Sequence, residues 1–179
     1  MSSEPRVART IAVCAVFFAL ALHAAPAPAV THEPYAAVGG GYFGGTSRVL
    51  VGLGPALGYR LNVTEAISLH IETRWLLYGG NGFTTSIGGM YAFRYRAWAP
   101  AIGLQATLSY GQQLRVIDAS MPDVPPGLAL SIQARVAPLR FRAGNFTIAA
   151  LVFDGGAGLE AGRPSIAISF SILELGVRF

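Results

Sequence analysis

The sequence predicts an all-β protein, an eight-stranded antiparallel up-and-down transmembrane β-barrel that follows an N-terminal signal peptide. Three observations lead to this fold. The chain is 53% hydrophobic and only 12% charged, whereas charged residues make up roughly a quarter of an ordinary soluble domain. Beyond the N-terminus, no stretch has the ~18 consecutive apolar residues that a membrane-spanning helix needs. Apolar and polar residues instead alternate with a period of two, and a closed barrel is the remaining way to satisfy backbone polar groups in lipid.

The N-terminus has the pattern of a secretory signal peptide. Two arginines near the start precede an apolar run over residues 10–22, and small residues follow over 24–29. The apolar run is short and no stop-transfer charges follow it, so an export signal is predicted rather than a membrane anchor. The domain organisation is therefore a signal peptide over 1–29, with its cleavage point left open, and one barrel domain over 30–179.

The numbers of cysteine and lysine residues limit the kinds of site that the chain can form. The only cysteine is Cys14, inside the apolar run, so the mature chain has no thiol for a disulfide, a metal thiolate or a nucleophile. All 13 basic residues are arginines, and they are scattered rather than grouped in runs. This spacing argues against a nucleic-acid partner. No cofactor and no metal site are predicted.

Alternation divides the mature chain into eight strands, and the third strand is the clearest. Leu69 and Ile71 are predicted to face lipid, whereas His70 and Glu72 face the interior. The predicted strands cover residues 35–44, 48–61, 66–78, 83–96, 98–111, a stretch that begins near Leu128, 146–154 and 165–179.

Three places interrupt the alternation. The apolar phase flips after Pro138, which predicts a bulge at the proline or an early turn there. The phase shifts again between Phe170 and Leu173, which predicts a second bulge. The register of residues 146–154 cannot be read because both faces are apolar.

Loop lengths and aromatic residues give the barrel an orientation. Outer-membrane barrels have short periplasmic turns, longer outer loops and two aromatic girdles. The predicted periplasmic turns are 62–65, 97–98 and 142–145, and the predicted outer loops are 44–47, 79–82, 112–127 and 154–163. The periplasmic girdle would hold Tyr35, Tyr59, Tyr95, Trp98 and Phe179, and the outer girdle Phe43, Trp75 and Tyr110. The alternative is that these rings pack the core of a soluble β-sandwich, whose outward faces would be richer in Thr, Lys and Glu.

The C-terminal segment, residues 173–179, alternates strictly and ends on an aromatic ring. This pattern resembles the sorting signal of bacterial outer-membrane barrels, carried here by Leu175, Val177 and Phe179. The likeness also covers the signal peptide, the number of strands and the difference in loop length between the two ends. The mature chain therefore resembles the small eight-stranded outer-membrane proteins, such as OmpX and the OmpA transmembrane domain. The resemblance implies a monomer in the bacterial outer membrane whose partners are outer-membrane lipids, lipopolysaccharide and, during biogenesis, the barrel-assembly machinery.

Inward polar residues predict a plugged lumen, because an eight-stranded barrel is only wide enough for its own side chains. Buried charges require partners, so Glu72 is expected to pair with Arg74 and Arg94, and Glu174 with Arg178. Inward arginines are expected to outnumber inward acids. The predicted lumen network is His70, Glu72, Arg74, Arg94, Arg135, Glu174 and Arg178.

The predicted role is structural or one of surface interaction, through the proline-stiffened loop 112–127. Loop acids such as Asp154 and Glu160 are expected to be solvated, and Arg48, Arg115 and Arg163 are candidates for lipopolysaccharide contacts. One alternative is a lipid-modifying hydrolase that uses Ser68, His70 and Glu72. Their spacing on one strand, ~6.6–7 Å between neighbours, is too long for a relay. The other alternative is a narrow small-solute channel.

Overall fold

The computed structural model describes residues 30–45, 49–77, 80–113, 127–160 and 162–179. The predicted signal peptide, most of the predicted loop 112–127, and the candidate lipopolysaccharide contacts Arg48 and Arg115 lie outside these residues. In the described ranges, no helix is long and apolar enough to cross a membrane.

Antiparallel strands account for nearly all of the described chain. Successive strands pair as hairpins, β1 pairs with β9 over most of their length, and β6 pairs with β8. β7 continues the course of β6 beyond Pro138, so the nine segments make eight wall positions of a closed barrel. The strands are β1 (Thr31–Gly45), β2 (Val49–Asn62), β3 (Ile67–Leu76), β4 (Gly80–Ala92), β5 (Ala101–Gln113), β6 (Gly127–Ala137), β7 (Leu139–Ala143), β8 (Phe146–Glu160) and β9 (Arg163–Val177).

The barrel has an apolar exterior and a polar interior. Leu69, Ile71 and Leu104 point outward and are 48%, 47% and 65% exposed, whereas His70 and Gln105 point inward and are each 3% exposed. A soluble sandwich would reverse this arrangement, because its apolar side chains would be sheltered from solvent. The predicted membrane barrel is confirmed, and the outward side chains form the surface that contacts acyl chains.

The two ends of the barrel differ in what they carry. The terminal end carries the first and last described residues, Val30 and Phe179, and the connections 63–66, 93–100 and 144–145. The loop end carries the connections that follow β1, β3, β5 and β8. Two predicted connections had the wrong length: the turn at 97–98 is a connection of eight residues, and β8 continues through the predicted loop 154–163 as far as Glu160.

Both predicted bulges are present. Ala137 faces inward, Leu139 outward and Arg140 inward, so one extra residue sits at Pro138, which has no N–H to donate. The Trp98 indole Nε1 donates to the Pro138 carbonyl at 2.8 Å and so covers the interruption. In β9, Ile172 and its successor both face outward, where the register with β1 shifts.

The seam between the first and last strands extends to the final residue. Tyr35 lies opposite Gly176, and beyond them His32 and Phe179 exchange two backbone hydrogen bonds of 3.0 Å each. Their rings stack with centroids 5.9 Å apart. The barrel is therefore closed by pairing the beginning of β1 with the residues that follow β9.

Most of the predicted girdle residues lie on the exterior, but two do not. Tyr35 and Phe43 on β1 point into the barrel and are buried. The glycine-rich sequence of β1 leaves its apolar phase ambiguous, which is why their faces were assigned wrongly. The six predicted girdle residues that do point outward are Tyr59, Trp75, Tyr95, Trp98, Tyr110 and Phe179.

Candidate functional site: the polar lumen

The lumen holds equal numbers of buried acids and arginines among the described residues. The predicted excess of arginine is therefore wrong for this part of the chain. The five buried acids are Glu33, Glu72, Asp154, Glu160 and Glu174, and the five buried arginines are Arg60, Arg74, Arg135, Arg140 and Arg142.

Arg135 is the centre of the network. From β6, its Nη2 donates to Glu174 on β9 and, at 3.2 Å, to Glu72 Oε2 on β3. Its Nη1 donates to Gln105 Oε1 on β5 at 3.2 Å, and its Nε lies 3.7 Å from Asp154 Oδ1 on β8. One fully buried guanidinium thus links four strands of the wall across the lumen. Planar guanidinium groups suit such multiple contacts because their donors point in fixed, different directions.

Arg74 occupies a second position beside Glu72. Its Nη2 donates to Glu72 Oε1 at 3.0 Å and to Ser171 Oγ at 2.6 Å, and its Nη1 donates to backbone carbonyls. Gly39 makes room for this group, since a Cβ there would lie 2.6 Å from Arg74 Nη1 and 1.9 Å from the Phe170 carbonyl oxygen. The predicted Glu72–Arg74 pair is present in the structure.

Arg60 joins the central acids to those nearer the terminal end. Its Nη1 donates to Glu33 Oε1 at 2.7 Å and its Nη2 donates to Glu174. Its guanidinium carbon also lies 3.8 Å above the centre of the Tyr35 ring, a cation–π contact. The Tyr35 hydroxyl donates to Glu72 Oε2 at 2.9 Å. Tyr35 therefore contacts both the Glu72 carboxylate and the Arg60 guanidinium.

Arg140 and Arg142 on β7 have fewer partners. Arg140 Nη2 is 3.5 Å from Glu33 Oε1, and Arg142 Nη1 donates to the Glu65 carbonyl oxygen at 2.8 Å. Among the described residues, no group accepts from Arg140 Nε, Arg140 Nη1 or Arg142 Nε, and the buried Thr147 hydroxyl also has no partner. Buried polar groups are usually satisfied. Single unpartnered atoms also occur elsewhere in the lumen, for example Arg60 Nε and Arg135 Nε, but here four of them lie on neighbouring residues of β7 and β8.

His70 belongs to a neutral chain of amides and hydroxyls. Its Nε2 is 2.9 Å from Gln105 Oε1, and Gln105 Nε2 donates to Gln133 Oε1 at 2.9 Å. Ser68 and Glu72 flank His70 on the same inward face. Glu72 is bound to arginines and Tyr35, so the base–orienter pair of a hydrolytic triad is not assembled here.

Two predicted members of the network lie outside it. Arg94 was assigned to β4, but that strand ends at Ala92; the Arg94 side chain is 43% exposed and pairs with Glu65 at the terminal end. Arg178 follows the end of β9, and its Nη2 donates to the Gly144 carbonyl oxygen rather than to Glu174.

Asp154 and Glu160 were predicted to be solvated loop acids, but both are buried on β8. The glycines after Asp154 read as a loop in the sequence. In the structure they allow close strand contact: a Cβ on Gly156 would lie 1.9 Å from the Ile132 carbonyl oxygen. Glu33 was missed because the first strand was predicted to begin only at residue 35. A signal was present, since Glu33 and Tyr35 share a phase and a carboxylate facing lipid is costly, which would have placed both side chains inward.

The remaining predicted site residues lie at the two ends of the barrel. Leu175, Val177 and Phe179 point outward near the terminal end, and Arg163 is exposed at the loop end, where β9 begins. In the described ranges, no group of three or more His, Cys, Asp or Glu side chains is arranged to hold a metal ion.

Comparison with known proteins supports the architecture. No protein-family model matches the chain, and no curated protein resembles it in sequence. The fold is similar to Neisserial surface protein A, NspA (TM-score 0.55, 13% identity, covering 87% of this chain and 100% of that one). It is also similar to Ail, the attachment invasion locus protein of Yersinia pestis, in complex with the heparin analogue sucrose octasulfate (TM-score 0.51, 12% identity, covering 84% and 99%). The chain thus has the fold of the small eight-stranded outer-membrane barrels, in agreement with the predicted outer-membrane location.

Proposed function

We propose that this protein is a non-enzymatic outer-membrane barrel with an occluded polar lumen, whose role is to support the cell envelope or to present its loop end to partners. The observation that carries this proposal is the position of Arg135, which reaches from β6 to side chains on β3, β5, β8 and β9. A side chain bound on four sides of a narrow cylinder obstructs it.

The network also makes opening energetically unfavourable. Arg60, Arg74, Arg135 and Gln133 are all less than 2% exposed. Removing one partner from a buried ion pair typically costs about 3–5 kcal/mol, because the remaining charge is left uncompensated. Moving Arg135 aside would leave three carboxylates in that position, so the blocked lumen is the stable state.

Conductance in planar bilayers tests the occlusion. We expect the full chain, folded and inserted, to give no discrete current steps above the lipid baseline. Steps that appear in the wild type and change in size or selectivity in Glu72→Gln would identify a channel instead and overturn the proposal. Arg94→Gln is the matched control, because it removes an arginine charge outside the lumen.

The absence of catalysis has its own test. His70 faces away from lipid, and its Nε2 contacts Gln105, so a lipid substrate on the exterior has no access to it. Expression of the chain should leave the mass of lipid A unchanged. A mass shift that disappears in His70→Ala would show that the protein is an enzyme.

The loop end is the proposed contact surface for lipopolysaccharide. Arg163 is exposed there. Arg48 and Arg115 lie outside the described residues, and in the sequence they fall between β1 and β2 and between β5 and β6. Arginine binds phosphate bidentately, and the neighbour Ail was solved with a polyanion, sucrose octasulfate. Replacing all three arginines with glutamine should weaken association with lipopolysaccharide. Equal association of this variant and the wild type would show that these arginines do not bind lipopolysaccharide. Arg178→Gln at the terminal end is the control for the loss of positive charge.

Assembly is proposed to depend on the outward C-terminal side chains. Leu175, Val177 and Phe179 would present an apolar face to the barrel-assembly machinery before closure, and the product is proposed to be a monomer. Deleting Phe179 should lower the fraction of chains that reach the heat-modifiable, folded form. An unchanged folded fraction would show that the last residue has no such role.

A further inference from the structure

Charge in the lumen is balanced overall but separated along the barrel axis. The middle holds three arginines (Arg60, Arg74, Arg135) and three carboxylates (Glu72, Asp154, Glu174) linked by ion pairs. The terminal end holds Arg140 and Arg142 against Glu33, and the loop end holds Glu160. Among the buried described residues, two arginines minus one acid leave the terminal end with one uncompensated positive charge.

Four of the buried polar atoms that have no partner among the described residues lie together in this corner, whereas others lie singly at residues such as Arg60 and Arg135. Arg142 lies directly opposite Thr147 in the β7–β8 ladder, and Arg140 lies two residues along the same face. Arg140 Nε, Arg140 Nη1, Arg142 Nε and the Thr147 hydroxyl have no acceptor among the described residues. Residues two apart on a strand are separated by about 6.6–7 Å, so two long arginine side chains and one hydroxyl can converge on a single small acceptor.

We propose that this corner of the lumen binds one small monovalent anion of halide size, held between Arg140, Arg142 and Thr147. The charge count gives the valence, since one negative charge neutralises the excess at this end. The unsatisfied N–H and O–H groups give the coordination, since each would donate to the ion. The proposal concerns a fixed structural ion and goes beyond the function proposed above.

Burial determines the size of the ligand. Arg140 is 0% exposed and Arg142 is 9% exposed, so an ion held between them would be largely shielded from solvent, which favours a small ion over a tetrahedral oxyanion. Phosphate would also bring more negative charge than the excess requires. Water could accept hydrogen bonds from the donors, but it would leave the positive charge in a region of low dielectric, where an uncompensated ion is costly.

The test measures whether chloride stabilises the folded barrel through Arg140. The full chain is folded in detergent micelles, and sodium gluconate is replaced stepwise by sodium chloride at constant ionic strength. The temperature at which the folded band is lost on a gel is then recorded. A ligand that binds only the folded state raises this temperature in a saturable way. We expect a saturable upward shift of a few degrees in the wild type and no shift in Arg140→Gln.

Arg94→Gln is the matched control, because it removes an exposed arginine at the same end and should keep the chloride response. A wild type that does not respond, or a response that persists undiminished in Arg140→Gln, would overturn the proposal and point to general salt effects. An equal response to phosphate would overturn the assigned size. Should Arg140→Gln fail to fold, Arg142→Gln takes its place.

Crystals soaked in sodium bromide give a direct second measurement. An anomalous peak between Arg140 and Arg142 is the expected result in the wild type, and the peak should be absent in the variant. Bromide sites confined to the surface would show that the corner binds no halide and would refute the proposal.

Discussion

The middle and the terminal end of the lumen are built from the same residue types but satisfy them differently. Arg135 and Arg140 are both fully buried. Arg135 contacts Glu72, Glu174, Gln105 and Asp154, whereas the one carboxylate near Arg140 is 3.5 Å away and already bound by Arg60 at 2.7 Å. The burial of a charged side chain therefore does not by itself indicate how much it stabilises the fold. The sign and size of its contribution to the free energy of unfolding depend on how many partners it has.

The two regions also differ in how firmly their arginines are held. In the middle, each guanidinium contacts two or more strands, so that region specifies how the wall closes. At the terminal end, Arg140 Nε and Nη1 have no acceptor among the described residues and could donate to a ligand. Single substitutions test this difference, and the expected loss in the free energy of unfolding falls from the middle of the lumen to the terminal end.

Removing Arg135 should have the largest effect. Arg135→Gln leaves Glu72, Glu174 and Asp154 with less positive charge, and it should lower the free energy of unfolding by about 3–5 kcal/mol, as for other broken buried ion pairs. Urea titration in lipid vesicles, followed by tryptophan fluorescence, measures this loss. A change no larger than that of Arg140→Gln would contradict the contrast between the two regions.

Neutralising Glu33 should have the second largest effect. Glu33→Gln removes the carboxylate that pairs with Arg140, while Arg60 keeps Glu174. The expected loss is about 2 kcal/mol, below the usual range for a broken buried pair because one partner is retained. The same titration with and without chloride sharpens the result, since chloride should recover part of the loss in this variant.

Removing the Tyr35 hydroxyl should have an intermediate effect. Tyr35→Phe keeps the ring beneath Arg60 but deletes the hydrogen bond to Glu72. Hydrogen bonds to charged groups contribute about 1.5–3 kcal/mol, so a loss near 1.5 kcal/mol is expected, because Glu72 keeps its two arginines. Tyr59→Phe, on the exterior, is the control ring. Equal losses in the two variants would show that the inward hydroxyl has no special role.

Removing Arg140 should have the smallest effect. Arg140→Gln relieves the positive excess at the terminal end and gives up one long contact to Glu33, so the loss should not exceed about 1 kcal/mol, the net value of one hydrogen bond. Measurement in gluconate buffer excludes any contribution from chloride. A loss as large as that of Arg135→Gln would mean that Arg140 is as well satisfied as the central arginines.

Alternation made the wall of the barrel predictable from sequence. Leu69 and Leu104 face outward and His70 and Gln105 inward because strand geometry has a period of two and lipid admits only apolar side chains. The bulge at Pro138 was predictable for the same reason, since a change of phase reveals an extra residue. These features depend only on neighbours along the chain.

The ion pairs were less predictable because their partners meet across the lumen. Glu174 was expected to pair with Arg178, four positions away, but its partners are Arg60 and Arg135, from strands distant in sequence. Strand ends were the other source of error: Arg94 lies beyond the end of β4 and so leaves the lumen. The inward positions follow from the sequence, whereas the tilt and stagger of the strands determine which of them meet.

The pairing of His32 with Phe179 has a consequence for biogenesis. The two wall segments that complete the cylinder are the first and the last strands in chain order, so the ring of hydrogen bonds cannot close until β9 has been synthesised. Every intermediate that lacks β9 has two unpaired edges. A nascent chain of this design therefore depends on protection from aggregation until its last strand is available.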